Sequence, residues 1–145
     1  VAWIGDANNM CNSYINASKQ FEFDLSIATP KNFTPSLFKN TDGNISLTND
    51  PKIAVKNADL VVTDVWASMG DEDKEEERKK IFKTLQVNKD LMSLANTDAI
   101  FMHCLPAHRG EEVTEEVLNS SASVIWQEAE NRLHAQKALL EYLLL

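Results

Sequence analysis

Short runs of β-branched and other apolar residues recur along this chain with helix-patterned stretches between them, and that alternation limits the fold more than any other feature. The spacing is that of βαβ units around a parallel sheet whose strands are covered on both faces. Five strands are predicted, at Val1 to Ile4, Asp24 to Ala28, Ile45 to Leu47, Leu60 to Asp64 and Ala99 to His103, with Val124 to Trp126 as a candidate short sixth. Helices are predicted from Asn8 to Phe21, Pro51 to Asn57, Asp71 to Leu85, Lys89 to Ala95, Thr114 to Asn119 and Glu128 to Leu144. The stretch from Lys31 to Asn44 lacks periodicity and reads as a loop with at most one helical turn. The expected fold class is α/β, a three-layer α/β/α domain with a mainly parallel five-stranded sheet, Rossmann-like in its layout.

The 145 residues match the size of one domain, and a hydrophobic content of 43% is enough for a real core. Fourteen bases against 22 acids leave a net charge of −8, which argues against nucleic acid as a partner. No apolar run approaches the roughly 20 residues of a membrane span, and no signal or lipidation pattern is visible, so no membrane partner and a cytoplasmic location are expected. Cys11 and Cys104 share no CxxC spacing, which speaks against a zinc site or disulfide framework. Val1 opens directly on a strand pattern and the chain stops on Leu143, Leu144 and Leu145, so it reads as a piece of a larger protein.

In an open parallel sheet, ligands bind beyond the carboxyl ends of the strands. After the first strand comes Gly5-Asp6-Ala7-Asn8-Asn9-Met10, a glycine-led turn into a helix start that suits a carboxylate or phosphate; Asn8 reads equally as a plain helix cap. It lacks the further glycines of a dinucleotide fingerprint. After the fourth strand comes Thr63-Asp64-Val65-Trp66-Ala67-Ser68-Met69-Gly70, where Asp64 offers a fixed anion to an ammonium group and Ser68 a hydroxyl. Asp64 as a cap, with Trp66 and Met69 as core, is the competing reading.

The fifth strand ends in His103-Cys104-Leu105-Pro106-Ala107-His108-Arg109-Gly110, which concentrates groups able to bind anions or exchange protons near neutral pH. Cys104 also suits inert packing. A cis bond before Pro106 would turn the Leu105 carbonyl toward a ligand. In Glu128-Ala129-Glu130-Asn131-Arg132, Arg132 either holds a carbonyl or phosphate oxygen or pairs with Glu128. The run from Asp71 to Lys83 carries six acids, then mostly bases, five in all. That order suits a helix dipole, with spacing-four pairs Glu75–Lys79 and Glu76–Lys80, and its plain reading is a solvated face.

These segments, in this order, resemble the amino-acid-binding half of a transcarbamylase, and among transcarbamylases the ornithine carbamoyltransferases. The match rests on Trp3-Ile4-Gly5-Asp6 with Asn8-Asn9, on Asp64-x-Trp66-x-Ser68-Met69-Gly70, on His103-Cys104-Leu105-Pro106 and on Glu130-Asn131-Arg132. The resemblance implies that Asn9 and the backbone around Met69 hold the ornithine carboxylate, while Asp64 and Ser68 address its amino groups. It implies that Cys104 lies near the attacking δ-nitrogen as proton acceptor, that Leu105 offers its carbonyl to the carbamoyl amide, and that Arg132 polarises the carbamoyl oxygen. The implied reaction transfers a carbamoyl group from carbamoyl phosphate to L-ornithine, giving citrulline and phosphate with no metal or organic cofactor. The loop from Ser68 to Gly70 would close over ornithine, and the charged helix after it would act as a mobile lid.

Such a family also has a carbamoyl-phosphate domain with a Ser-x-Arg-Thr-Arg run, which does not occur in these 145 residues. The resemblance therefore implies that this chain alone is inactive, that its partner is the missing N-terminal domain, and that the full-length protein is a homotrimer or higher homo-oligomer. The leucine-rich end would pack on the absent domain. Two other readings stay open, a non-catalytic amino-acid-binding domain and a transcarbamylase for another amine such as putrescine.

Overall fold

The computed structural model describes residues 1–39, 43–67 and 75–145. Among them five parallel strands form one sheet: β1 (Ala2–Ile4), β2 (Leu25–Ala28), β3 (Ile45–Thr48), β4 (Leu60–Thr63) and β5 (Ile100–His103). They lie in the order β3-β2-β1-β4-β5, with Ile4 opposite Ala28, Trp3 opposite Val62 and Thr63 opposite His103. The chain runs outward from β1 through β2 to β3, then returns to the other side of β1 for β4 and β5, so the order reverses between β1 and β4. In an open α/β sheet that reversal opens the crevice where ligands bind.

Side-chain alternation along β1 supplies both faces of the sheet. Ala2 and Ile4 join one core with Val61, Phe101, Val55, Phe82 and Leu85, while Trp3 points the other way to meet Cys11, Ile15, Ile27 and Val62. The second face is covered by α1 (Asn9–Phe21). The first is covered by α2 (Pro51–Val55), α3 (Glu75–Phe82) with a 3₁₀ turn at Lys83–Leu85, α4 (Lys89–Met92) and α5 (Glu115–Leu118). This is the expected three-layer α/β/α arrangement.

The expected helix at Asp71 to Leu85 is seen from Glu75 onward, its first four residues lying outside the described ones. The loop from Lys31 to Asn44 contains tight turns, with Phe33 N–H donating to the Pro30 carbonyl and Phe38 N–H to that of Pro35.

The proposed sixth strand is corrected. Phe101 N–H donates to the Ala122 carbonyl and Val124 N–H to the Phe101 carbonyl, a single parallel bridge at Ser123. The chain then turns helical at once, and α6 spans Ile125–Leu144. A β-branched Val-Ile pair favours a strand locally, but Ile125 is buried against the core at the first helical turn, so tertiary packing overrides that preference. Beyond Ile125, α6 buries no residue: Trp126, Leu133, Leu140 and Leu144 are all more than half exposed. Among the described residues no helix is long and apolar enough to cross a membrane.

Candidate functional site

Gly5 sits at the end of β1 with φ +137°, a conformation that residues with a side chain rarely adopt. A Cβ there would lie 3.3 Å from Thr63 Oγ1, so glycine also lets the loop after β1 close onto the end of β4. Thr63 Oγ1 donates to the Ile4 carbonyl at 2.6 Å and locks that approach. Asn8 caps α1, its Oδ1 accepting from the amides of Met10 (2.9 Å) and Cys11 (3.2 Å).

The same side chain turns its Nδ2 across the crevice and donates to Asp64 Oδ2 at 2.7 Å. Asn8 is thus both cap and site residue. Asn9, the residue singled out in the sequence, opens α1 with an exposed side chain that makes no hydrogen bond among the described residues.

Asp64 is 7% exposed, just past the end of β4. Its Oδ1 accepts from its own neighbour Val65 N–H at 2.8 Å and from the Cys104 thiol at 3.2 Å. Cys104 follows β5, the next strand over. Burial, then the charge of Asp64, pushes its thiol up to about 12, with Glu128 adding to the effect. The thiol is therefore protonated at neutral pH and acts as a donor to Asp64, whereas a thiolate would need positive charge nearby. The proton-acceptor role that the resemblance implies for Cys104 requires the thiolate, which this arrangement disfavours.

The segment after β5 is held by a buried pair. Glu112 Oε1 accepts from His108 N–H at 2.6 Å and lies 3.0 Å from His103 Nε2, both side chains being fully buried. His103 Nδ1 accepts from Leu105 N–H at 2.9 Å, which assigns the ring proton to Nε2. That hydrogen bond supports Leu105 in a left-handed conformation, φ +56°, and the Leu105–Pro106 bond is cis. Of the polar cluster read from the sequence, Cys104 faces Asp64, and His103 is buried. Arg109 turns outward to Glu115 at 3.1 Å, and His108 is about half exposed near Glu111.

Two residues passed over as functional in the sequence reach this region. Glu128, in the first turn of α6, accepts from the His103 backbone N–H at 2.9 Å through Oε2. Half-buried, it has its carboxyl raised by that burial and further by the charge of Asp64. Tyr14 of α1, tilted against Trp3 at 5.5 Å, is raised to about 12 by burial and then by Glu128 and Cys104.

Arg132, four residues on from Glu128 and so on the same helical face, is exposed and pairs with neither Glu128 nor any other described residue. The alternative of an Arg132–Glu128 pair is not the arrangement found. Ser68 and Met69, with Gly70, lie outside the described residues.

Arg78 braces the site from below. Its guanidinium pairs with Asp6 in the loop after β1 and donates to the Trp66 carbonyl after β4, lying 5.0 Å from the Phe33 ring centroid and 5.2 Å from that of Phe82. The neighbouring Lys79 bridges Glu75 at 2.6 Å and Glu111 at 3.0 Å and takes Glu76 at 3.5 Å, so Glu76 pairs here and not with Lys80.

Asp64, His103 and Cys104 bring potential metal-ligating atoms within 4.8 Å of one another, as do His108, Glu111 and Glu112. Both ring nitrogens of His103 are engaged and Cys104 is protonated, so a metal would have to displace existing hydrogen bonds. The arrangement instead offers hydrogen-bond acceptors to a ligand that brings its own N–H groups.

A parallel sheet whose reversal point gathers a carboxylate, a carboxamide and a thiol defines an open α/β domain with its ligand crevice between β1 and β4. Residues 1–143 match the family model described as "Aspartate/ornithine carbamoyltransferase, Asp/Orn binding domain", and the chain belongs to that family. It is 56% identical to the ornithine carbamoyltransferase of Hydrogenovibrio crunogenus over 146 residues, 99% of this chain and 48% of the relative. With that of Nitrosococcus oceani it shares 58% over 147 residues, 100% of this chain and 48% of the relative.

Among solved structures, the anabolic ornithine carbamoyltransferase of Campylobacter jejuni superposes with a TM-score of 0.90 at 45% identity, covering 98% of this chain and 50% of that one. The enzyme of Burkholderia thailandensis gives 0.87 at 46%, covering 99% and 47%. The chain spans about half the length of the curated relatives it matches.

Proposed function

We propose that this chain is the ornithine-binding half of an ornithine carbamoyltransferase, which moves the carbamoyl group of carbamoyl phosphate to the δ-amine of L-ornithine and releases citrulline and phosphate. The observation that carries the reading is Asp64: nearly buried at the switch point, it is satisfied among the described residues by the Asn8 amide, the Val65 N–H and the Cys104 thiol. A carboxylate held by neutral donors favours an incoming ammonium group. Close relatives named ornithine carbamoyltransferase supply the substrate class.

In this reading Asp64 and Ser68 address the amino groups of ornithine, and Asn9 with the Met69 backbone takes the carboxylate. The carbonyl of Leu105 receives the carbamoyl amide, and the guanidinium of Arg132, unpaired among the described residues, polarises the carbamoyl oxygen. The carbamoyl-phosphate-binding domain lies outside this chain, and the enzyme works as a cytoplasmic homotrimer or higher homo-oligomer.

Most of the rate enhancement then comes from positioning and electrostatics. The δ-ammonium of ornithine must lose a proton before it can attack. Cys104, already protonated, cannot take that proton in its resting state, so the proton leaves to solvent or to a thiolate formed only after the site rearranges.

The test is ornithine-dependent phosphate release by the full-length protein supplied with carbamoyl phosphate, with L-aspartate and putrescine as competing acceptors. Turnover with ornithine alone is expected. Equal or faster turnover with putrescine would replace the substrate assignment, and no turnover with any acceptor would favour a non-catalytic binding domain.

A further inference from the structure

We propose that Glu128 determines specificity in the ornithine site, its carboxylate receiving the δ-ammonium of the bound amino acid while Asp64 receives the α-ammonium. The inference rests on the reading above and extends it to a residue that the sequence motifs did not single out.

Asp64 stands at the end of β4 and Glu128 over the end of β5, the adjacent strand, with Cys104 between them. One inter-strand step is about 4.8 Å, and Glu128 takes the His103 N–H at 2.9 Å on the side of β5 away from β4, so the two carboxylates stand far enough apart to hold one ammonium each at the two ends of a five-carbon chain. Both carboxylates are served by neutral donors. Those of Asp64 are an amide side chain, a backbone N–H and a thiol; that of Glu128 is the His103 backbone N–H. Among the described residues no lysine or arginine pairs with either. The imidazole of His103 is turned to the Leu105 N–H and to Glu112 and makes no hydrogen bond to either carboxylate.

Two partly desolvated negative charges without a counter-cation are costly, and a ligand carrying two ammonium groups offsets that cost. The same pair repels the side-chain carboxylate of aspartate, which gives a physical basis for choosing between the two amino acids in the family's description. Burial and the neighbouring Asp64 keep the Glu128 carboxyl easier to protonate than usual until a cation arrives.

The experiment uses the full-length enzyme with Glu128→Gln, which keeps an oxygen for the His103 N–H and removes only the charge. The KM for L-ornithine is expected to rise about tenfold, the scale of one lost charge-assisted hydrogen bond. The inhibition constant of L-norvaline, which lacks the δ-amine, and the KM for carbamoyl phosphate stay within about twofold. If ornithine and norvaline weaken together, Glu128 acts only through the His103 backbone and the proposal falls; it falls too if neither changes.

Glu128→Asp is the second variant, to be used if the glutamine form does not fold. A shorter carboxylate that keeps its charge should shift relative kcat/KM from ornithine toward the longer L-lysine by about tenfold, and unchanged discrimination overturns the proposal. A wild-type enzyme that does not carbamoylate ornithine overturns the underlying reading itself, an outcome separate from a normal wild type whose Glu128 variants behave like it.

Discussion

Asn8 and Asp64, 56 residues apart in sequence, are joined by a 2.7 Å hydrogen bond across the reversal of strand order, and the same Asn8 side chain caps α1. One residue therefore couples the start of a helix to the acid of the site. Asn8→Ser keeps a capping oxygen but cannot reach Asp64, whereas Asn8→Ala loses both functions. A cap contributes about 1 kcal/mol, and a hydrogen bond to a charged group about 1.5–3 kcal/mol. In urea unfolding the serine variant should lose about 2 kcal/mol and the alanine variant about 1 kcal/mol more. Equal losses would mean that the Asp64 contact adds nothing to stability.

Cys104 should be a slow nucleophile at neutral pH. Its thiol is pushed up to about 12 by burial and by the charge of Asp64. The thiolate therefore appears only as pH rises far above the ordinary thiol range. Mass-spectrometric tracking of iodoacetamide labelling from pH 7 to about 10 should show Cys104 lagging a free cysteine by more than tenfold. Asp64→Asn, by removing the anion, should accelerate it. The linkage sign is that of a raised acid: stability held by the protonated thiol is complete below the unfolded thiol value and is lost as pH climbs from about 9 toward about 12. Cys11, also raised to about 12 by burial, adds to that loss. Cys104→Ser should flatten the fall in that window.

Much of this was legible in the sequence because each strand is a compact apolar run and each strand end carries its own unusual residues. Gly5, Asp64 and Cys104 follow from that logic. Three residues did not. His103 sits beside Cys104 and reads as a ligand group, yet successive residues at a strand end point opposite ways, so His103 is buried onto Glu112 while Cys104 meets Asp64. Arg78 lies in a run of charges and reads as solvated, and only the folded loop carrying Phe33 reveals its ring partners. Glu128 stands four residues before Arg132, the spacing of a helix ion pair, but the competing partner is the backbone N–H of His103, supplied by a strand 25 residues away. Local spacing cannot show that.

Arg78 should matter more to the shape of the crevice than its place in a charged helix suggests. It links Asp6, after β1, with the Trp66 carbonyl, after β4, and only 12% of its side chain is exposed. Breaking a nearly buried ion pair is strongly destabilising, so Arg78→Met should cost about 3 kcal/mol in urea unfolding. Arg78→Lys should recover only part of that loss, because an ammonium cannot span both acceptors or lie flat on Phe33 and Phe82 as a guanidinium does. A double-mutant cycle of Arg78→Met with Asp6→Asn should show coupling between the two; simple additivity would show that the pair does not couple.

Glu112 sets the path of the chain after β5, and its loss should be felt at Cys104 without any direct contact. Its Oε1 receives His108 N–H and faces His103 Nε2, while Oε2 is buried with no hydrogen-bond partner among the described residues. Glu112→Gln keeps an oxygen for one donor and can place an N–H against the other, so one of the two bonds is lost. Glu112→Ala loses both and leaves two buried donors unsatisfied, at about 1–3 kcal/mol each. The glutamine variant should therefore be destabilised by about 1–2 kcal/mol and the alanine variant by roughly twice that. Hydrogen exchange should localise the effect. The Leu105 amide, held by His103 Nδ1 in a left-handed conformation, and the His108 amide should both exchange faster in Glu112→Ala, while the β1 and β2 amides keep their protection. Uniform acceleration across the sheet would instead make Glu112 part of the global core and remove its specific hold on the loop that carries Cys104.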